Sequence, residues 1–303
     1  MGQDSLLTQK KFIEGFLGRQ FAHLSAFTFA NIFIWSDFFG FRFEVINNFL
    51  CVFADHSSGT FLYLPPLGKI TDKMLFCSTI AECFEKMEAV NRGNDVSRVE
   101  NMDQSRLGFV SGSSGMSSYR KSYDICYFRE DMAGLKGNDF KSKRSSYNYF
   151  VKNYRHFFQP FTTSMREDCC RLYDRWAENR LSKYQKDIYA QLIHENRIVH
   201  RLAMEYQKQL GLVGRVVEVD GKIAGYTFGL PVHPDVFCVL FEIVDLTING
   251  LGVYIFKTFC DDPQLKPYSL INVMDDFEMD NIKEIKESFH PVLLVPSYTV
   301  TQK

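Results

Sequence analysis

The chain has 303 residues, 46% of them apolar and 23% charged, and a formal net charge of −1. That composition predicts a globular protein with a buried core. It argues against a chain that coats nucleic acid over its whole surface, although a local basic site remains open. The eight cysteines are irregularly spaced and form no CxxC pair, so free thiols in a reducing cytoplasm and no metal site are expected. The N-terminus lacks the charged-then-apolar order of a signal peptide, and "FAHLSAFTFANIFIW" is too short and polar to span a membrane.

In chain order, residues 27–39 carry apolar side chains at helical spacing up to a stop at Gly40. "FRFEVINNFLCVFAD" predicts two strands around a turn at Asn47-Asn48, and "GTFLYLPPLGK" a third strand stopped by Pro65-Pro66. An amphipathic helix follows with Leu75, Ile80, Phe84 and Met87 on one side, then the short strand "VSRVENM". The Ser/Gly-rich stretch from Val110 to Asp124 has the composition of a loop or boundary.

After the strand "SYDICYF" comes "LKGNDFKSKRSSYNYFVKNYRHFFQP", Leu135 to Pro160, with six Lys or Arg and seven aromatic side chains. On a helix from Phe140 to Phe158, one stripe holds Lys141, Arg144, Asn148, Lys152 and Arg155. A second holds Phe140, Tyr147, Val151, Tyr154 and Phe158. Helices are predicted over "DCCRLYDRWAENR" and from about Lys186 to Leu210, where Ile188, Leu192, Val199, Leu202, Tyr206 and Leu210 form the buried stripe and Gly211 the cap. The last third returns to strands: a hairpin turning at Asp220-Gly221, then "VFCVLFEIVDL", the helix "GVYIFKTFCDD", the strand "YSLINVMDD", a short helix ended by Pro291, and "VLLVPSYTV". The two halves share the order helix, hairpin, strand, helix, strand, which suggests a duplicated α/β unit.

Five blocks occur in a characteristic order: "SAFTFANIFIWSDFFGFRFEVINNFL", "LPPLGKI", "LKGNDFKSKRSSYNYFVKNY", "VVEVDGKIAGYTFG" and "SLINVMDDFEMDNIKEIKESFHP". Together they resemble the DUF2156 family, whose relatives include the cytoplasmic C-terminal domain of phosphatidylglycerol lysyltransferase. The resemblance implies an α/β fold of mixed sheets with two GNAT-like acyltransferase lobes in tandem. The lobes would span 1–115 and 161–303, joined by a connecting strand and basic helix over 116–160. It also implies kinship with enzymes that move an aminoacyl group from aminoacyl-tRNA onto an acceptor, a lipid head group in the lysyltransferases. In the family's late motif Ile271, Asn272, Asp276 and Lys286 match. Met274 stands where the family has an acidic residue, Glu278 where it has glycine and Lys283 where it has arginine.

Three groups of residues are candidates for chemistry. Lys141, Lys143, Arg144, Lys152 and Lys286 could contact the phosphates of a tRNA, or be an ordinary solvated face. Glu242, Asn272 and Asp276 could serve catalysis: a carboxylate at a strand end can accept the proton of an attacking amine or hydroxyl. Asp276 could equally bond loop amides, Asp280 or Asn281 could cap the next helix, and Glu242 could point to either side of its strand. Gly250 and Gly252 in "TINGLGVY" precede a helix as the pyrophosphate loop of an acyl-CoA site does, with Thr247 in the basic or Gln position. The expectation is a cytoplasmic acyltransferase-like protein without a transmembrane segment. It would use aminoacyl-tRNA and a small-molecule or lipid head-group acceptor, with an acyl-CoA enzyme or a non-catalytic scaffold as the rival readings.

Overall fold

The structure, a computed structural model, describes residues 2–18, 23–93, 95–110, 115–183, 187–276 and 279–302. The part of the Ser/Gly stretch over 111–114, the helix start expected at Lys186, the side chain of Ile188 and the position Glu278 lie outside the described residues. The chain forms two compact units: residues 1–124, 275–278 and 294–303 in the first, and 125–274 with 279–293 in the second.

The first unit begins with helices α1 (Gln3–Thr8), α2 (Lys10–Leu17) and α3 (Phe29–Ile34), followed by strands β1 (Gly40–Ile46), β2 (Phe49–His56) and β3 (Gly59–Leu67). Helix α4 (Lys73–Asn91), strand β4 (Val99–Asp103), helix α5 (Gln104–Val110) and strand β5 (Met116–Phe128) complete its main segment. Asn47 and Asn48 both take left-handed φ, 51° and 68°, the tight hairpin turn expected of that pair. The α4 stripe is Phe76, Ile80, Cys83, Phe84 and Met87, all fully buried; Leu75, about 100° round the helix from Phe76, is exposed, and Asp72 caps the helix start. Pro65-Pro66 do not stop β3. Its register with β2 jumps from Leu64 to Leu67, so the prolines sit in a bulge where their missing N–H groups cost no ladder bond.

The second unit contains α6 (Arg129–Gly134), α7 (Lys141–Asn153), β6 (His156–Pro160), α8 (Arg166–Lys183), α9 (Asp187–Glu205), α10 (Gln207–Leu210), β7 (Val213–Val219), β8 (Lys222–His233), β9 (Val236–Val244), α11 (Leu251–Cys260), β10 (Leu270–Asn272) and α12 (Asp280–Glu287). The last strand, β11 (Leu293–Gln302), returns almost entirely to the first unit. Strand order is β1-β2-β3-β4-β11-β5 in the first unit, and in the second the end of β5 is followed by β10-β9-β8-β7-β6. Strands β3 and β4 pair in parallel in the first unit and β9 and β10 in the second, each beside antiparallel neighbours such as β2–β3 and β8–β9. The fold is therefore mixed α/β.

The basic helix is shorter than its pattern suggests. It ends at Asn153; Tyr154 is extended, and β6 pairs with β7 from His156–Val219 to Pro160–Arg215. Strand pairing overrides helical spacing there. Phe150 is the buried anchor of α7, whereas Val151 points to solvent. Strand β10 is likewise only three residues long, and α12 starts without a side-chain cap from Asp280 or Asn281; its N-cap is Met279.

Candidate functional site

The polar centre of the second unit is created by a bulge. Between β8 and β9 the register runs Thr227–Glu242, Phe228–Phe241 and then Gly229–Val239, so Leu240 is an extra residue. Val239 packs with Phe256, Phe259 and Cys260 of α11. The extra residue reverses the alternation: Phe241 stacks on His200 of α9 with ring centroids 4.0 Å apart, and Glu242 turns toward α11, where its charge acts on Cys260. Gly229 makes this possible. A Cβ there would come within 2.3 Å of the Cys238 carbonyl oxygen. An isolated glycine in a strand is a bulge signal, and "YTFGLPV" displays it.

Glu242 is partly buried as a residue, but its Oε2 is shielded and has no hydrogen-bond partner among the described residues. Burial alone pushes its carboxyl up to about 8. Register aligns three polar residues on this face: Arg215 of β7, Thr227 of β8 and Glu242 of β9. Arg215 is committed, with Nε 2.7 Å from Asp262 Oδ2 and Nη1 2.9 Å from the Gly214 carbonyl. Thr227 is fully buried and its hydroxyl also lacks a partner among the described residues. The β9–β10 ladder stops at Cys238–Asn272, four residues short of Glu242, which therefore sits where β9 has lost its β10 neighbour.

The other expected residues divide into those that hold the framework and those that face solvent. Asn272 is fully buried and its Oδ1 accepts the Met274 N–H at 2.7 Å, forming a side-chain turn at the end of β10. Met274 takes a left-handed φ of 60°. Lys286 donates to the carbonyls of Val273 at 2.6 Å and Met274 at 3.4 Å, so it clamps the same turn. Asp276 is partly buried in the stretch 275–278, which groups with the first unit.

Along α7, Lys143 donates to Ser288 Oγ at 2.6 Å and lies 4.0 Å from the centre of the Phe289 ring, and its burial lowers the ammonium pKa. Arg144 donates to the carbonyls of Leu135 and Gly137 and thereby closes the turn before the helix. Lys141 and Lys152 are exposed.

The Gly250–Gly252 loop fits a pyrophosphate poorly. Gly250 has φ 83° and precedes α11, but a Cβ there would lie 2.2 Å from the Ser146 carbonyl, so α7 already occupies the space against it. Thr247 gives both its N–H and its hydroxyl to Asp245 Oδ1, which places a carboxylate in the loop where phosphates would need donors. At Gly252 a Cβ would meet only the Val244 side chain, at 3.9 Å, so nothing there requires glycine.

Among the described residues no cluster of His, Cys, Asp and Glu has the arrangement of a metal site, and no helix is long and apolar enough to cross a membrane.

Comparison with known proteins adds the following. Residues 19–301 match the family described as phosphatidylglycerol lysyltransferase, C-terminal. A conserved protein of unknown function from Bacteroides thetaiotaomicron has the same fold, with a TM-score of 0.85 at 22% identity over 98% of this chain and 97% of that one. L-PGS from Bacillus licheniformis aligns with a TM-score of 0.67 at 12% identity, covering 97% and 91%. The C-terminal domain (DUF2156) of a protein described as a lysylphosphatidylglycerol synthetase from Agrobacterium fabrum aligns at 0.66 and 12%, covering 100% and 92%. No curated protein matches the chain.

Proposed function

The chain belongs to the family of phosphatidylglycerol lysyltransferase C-terminal domains, and on that premise we propose that it transfers an aminoacyl group from aminoacyl-tRNA to an amine or hydroxyl acceptor. The observation that carries this reading is Glu242: a carboxyl whose shielded Oε2 has no hydrogen-bond partner among the described residues, on a strand edge from which the neighbouring strand has departed. An aminoacyl ester is already activated, so positioning and a base suffice. The acceptor attacks the ester carbonyl carbon and loses its proton to Glu242. The bond to the ribose oxygen then breaks, and that oxygen leaves with the proton Glu242 took up. A carboxyl held near 8 is matched to proton exchange close to neutral pH. The exposed Lys141 and Lys152 supply phosphate contacts, while Lys143, Arg144 and Lys286 act through the framework that they hold.

The test is loss of label from bulk aminoacyl-tRNA to an extract of small molecules and lipids, comparing wild type with Glu242→Gln. Transfer that falls at least about 100-fold in the variant supports the reading. Transfer that survives unchanged removes Glu242 from the chemistry. Binding of tRNA without turnover by either protein favours a non-catalytic scaffold.

A further inference from the structure

Two buried oxygens face the same side of the β8–β9 ladder, and neither has a partner among the described residues: Thr227 Oγ1 and Glu242 Oε2. Directly opposed residues of an antiparallel pair project side by side, with Cβ atoms about 5 Å apart. A hydroxyl can donate one proton, and an ionised carboxylate can only accept. A neutral carboxyl has less need of that donor, whereas a buried carboxylate without one is strongly disfavoured.

We infer that the Thr227 hydroxyl is the partner of the ionised Glu242 carboxylate, a positioning residue that readies the base before it accepts a proton. The inference rests on the reading of Glu242 as base given above. Thr258 of α11 also has a buried hydroxyl without a hydrogen-bond partner, but it lies beside Tyr147 and Tyr254, and among the described residues the other polar groups packed around Glu242 are committed elsewhere or unsuited to that part. From β7, Arg215 is held by Asp262 and Gly214. From α6, Arg129 donates to the carbonyls of Cys260 and Tyr268. From α11, Cys260 presents a thiol whose own pKa is pushed up by burial and by the Glu242 charge. Asp262, which follows α11, would repel the carboxylate. From β8, Thr227 alone of the polar side chains shares the face and the register. Neither Thr nor Glu is unusual in a strand; only the bulge at Leu240 brings them to one face.

Carbon NMR of protein labelled at Glu carboxyl and Thr methyl carbons tests this directly, with Glu242 assigned through Glu242→Gln. The Glu242 titration midpoint is expected to move up by about one to two pH units in Thr227→Val, the loss of one hydrogen bond to a charge, and to return in Thr227→Ser. In the wild-type protein the Thr227 methyl signal is expected to move with the same midpoint, a readout that holds even if the valine variant does not fold. An unchanged midpoint in Thr227→Val, or a Thr227 signal that ignores the Glu242 titration, overturns the pair whatever the transfer assay shows. If the titrations behave as expected and transfer is indifferent to Glu242→Gln, the pair stands and the base assignment falls. If both hold, the alkaline rise of the transfer rate moves up with the NMR midpoint in Thr227→Val and is rescued by serine.

Discussion

Glu242 and His200 lie on opposite sides of the β8–β9 pair, and burial keeps both uncharged. His200 is pressed down to about 3, with its Nδ1 2.8 Å from the Tyr226 hydroxyl and its ring on Phe241. Their effects on stability have opposite signs. In the unfolded chain His200 titrates near 6.5. Between there and about 3 the unfolded state binds the extra proton, so stability falls as pH drops through this window. For Glu242 the folded protein binds the extra proton between 4.5 and about 8, so stability falls as pH rises through that window. Each contribution is on the order of a few kcal/mol at the far end of its window. Chemical denaturation across pH checks both: Glu242→Gln is expected to flatten the alkaline side, and His200→Gln the acid side. A Glu242→Gln profile that parallels wild type above pH 6 would show that the carboxyl is not held neutral.

At the scale of elements, α7 carries the contrast between what a pattern displays and what packing assigns. Basic residues at helical spacing were legible, as were both two-residue hairpins, the cap at Gly211, and most helices and strands. The division of labour within the basic stripe was not, because it depends on what each side chain meets: Arg144 on the turn carbonyls, Lys143 on Ser288 and Phe289, Lys141 and Lys152 on solvent. Lys141→Ala/Lys152→Ala is therefore expected to weaken tRNA binding and to reduce its salt slope by roughly 1.5, with an unchanged melting curve. Arg144→Ala is expected to lower stability by about 1–3 kcal/mol, because the turn carbonyls lose a charged donor. Glu242 was visible as a candidate, but its direction was not, since alternation alone leaves two faces open and the bulge decides. Gly229→Ala tests that decision. With the Cys238 carbonyl 2.3 Å from the new carbon, the bulge must shift, at about 1–3 kcal/mol, and Glu242 turns away from α11. A variant as stable and active as wild type would place the control of Glu242 elsewhere.

For the whole molecule, the net charge of −1 means that attraction to a polyanion must come from local groups such as Lys141 and Lys152. Its chain path carries a separate consequence. The first unit draws on residues 1–124 and on 294–303, and β11 lies between β4 and β5 in its strand order. On one side β11 pairs with β4, through Ser297–Asp103, Tyr298–Met102 and Val300–Val99, and Thr299 and Val300 are fully buried. A strand with neighbours on both sides is not an optional edge. Its removal leaves two rows of backbone donors and acceptors exposed on β4 and β5 and uncovers apolar surface between them. Residues 1–124 made alone are therefore expected to lack a cooperative thermal transition and to aggregate. Adding a synthetic peptide of residues 292–303 should restore the transition with an amplitude that saturates. Deleting 294–303 from the full chain should expose β4 and β5 to proteolysis before the second unit, whose strands β6 to β10 keep their neighbours. If residues 1–124 melt cooperatively without the peptide, β11 contributes no more than a cover, and the chain's return to its first unit is a matter of topology rather than stability.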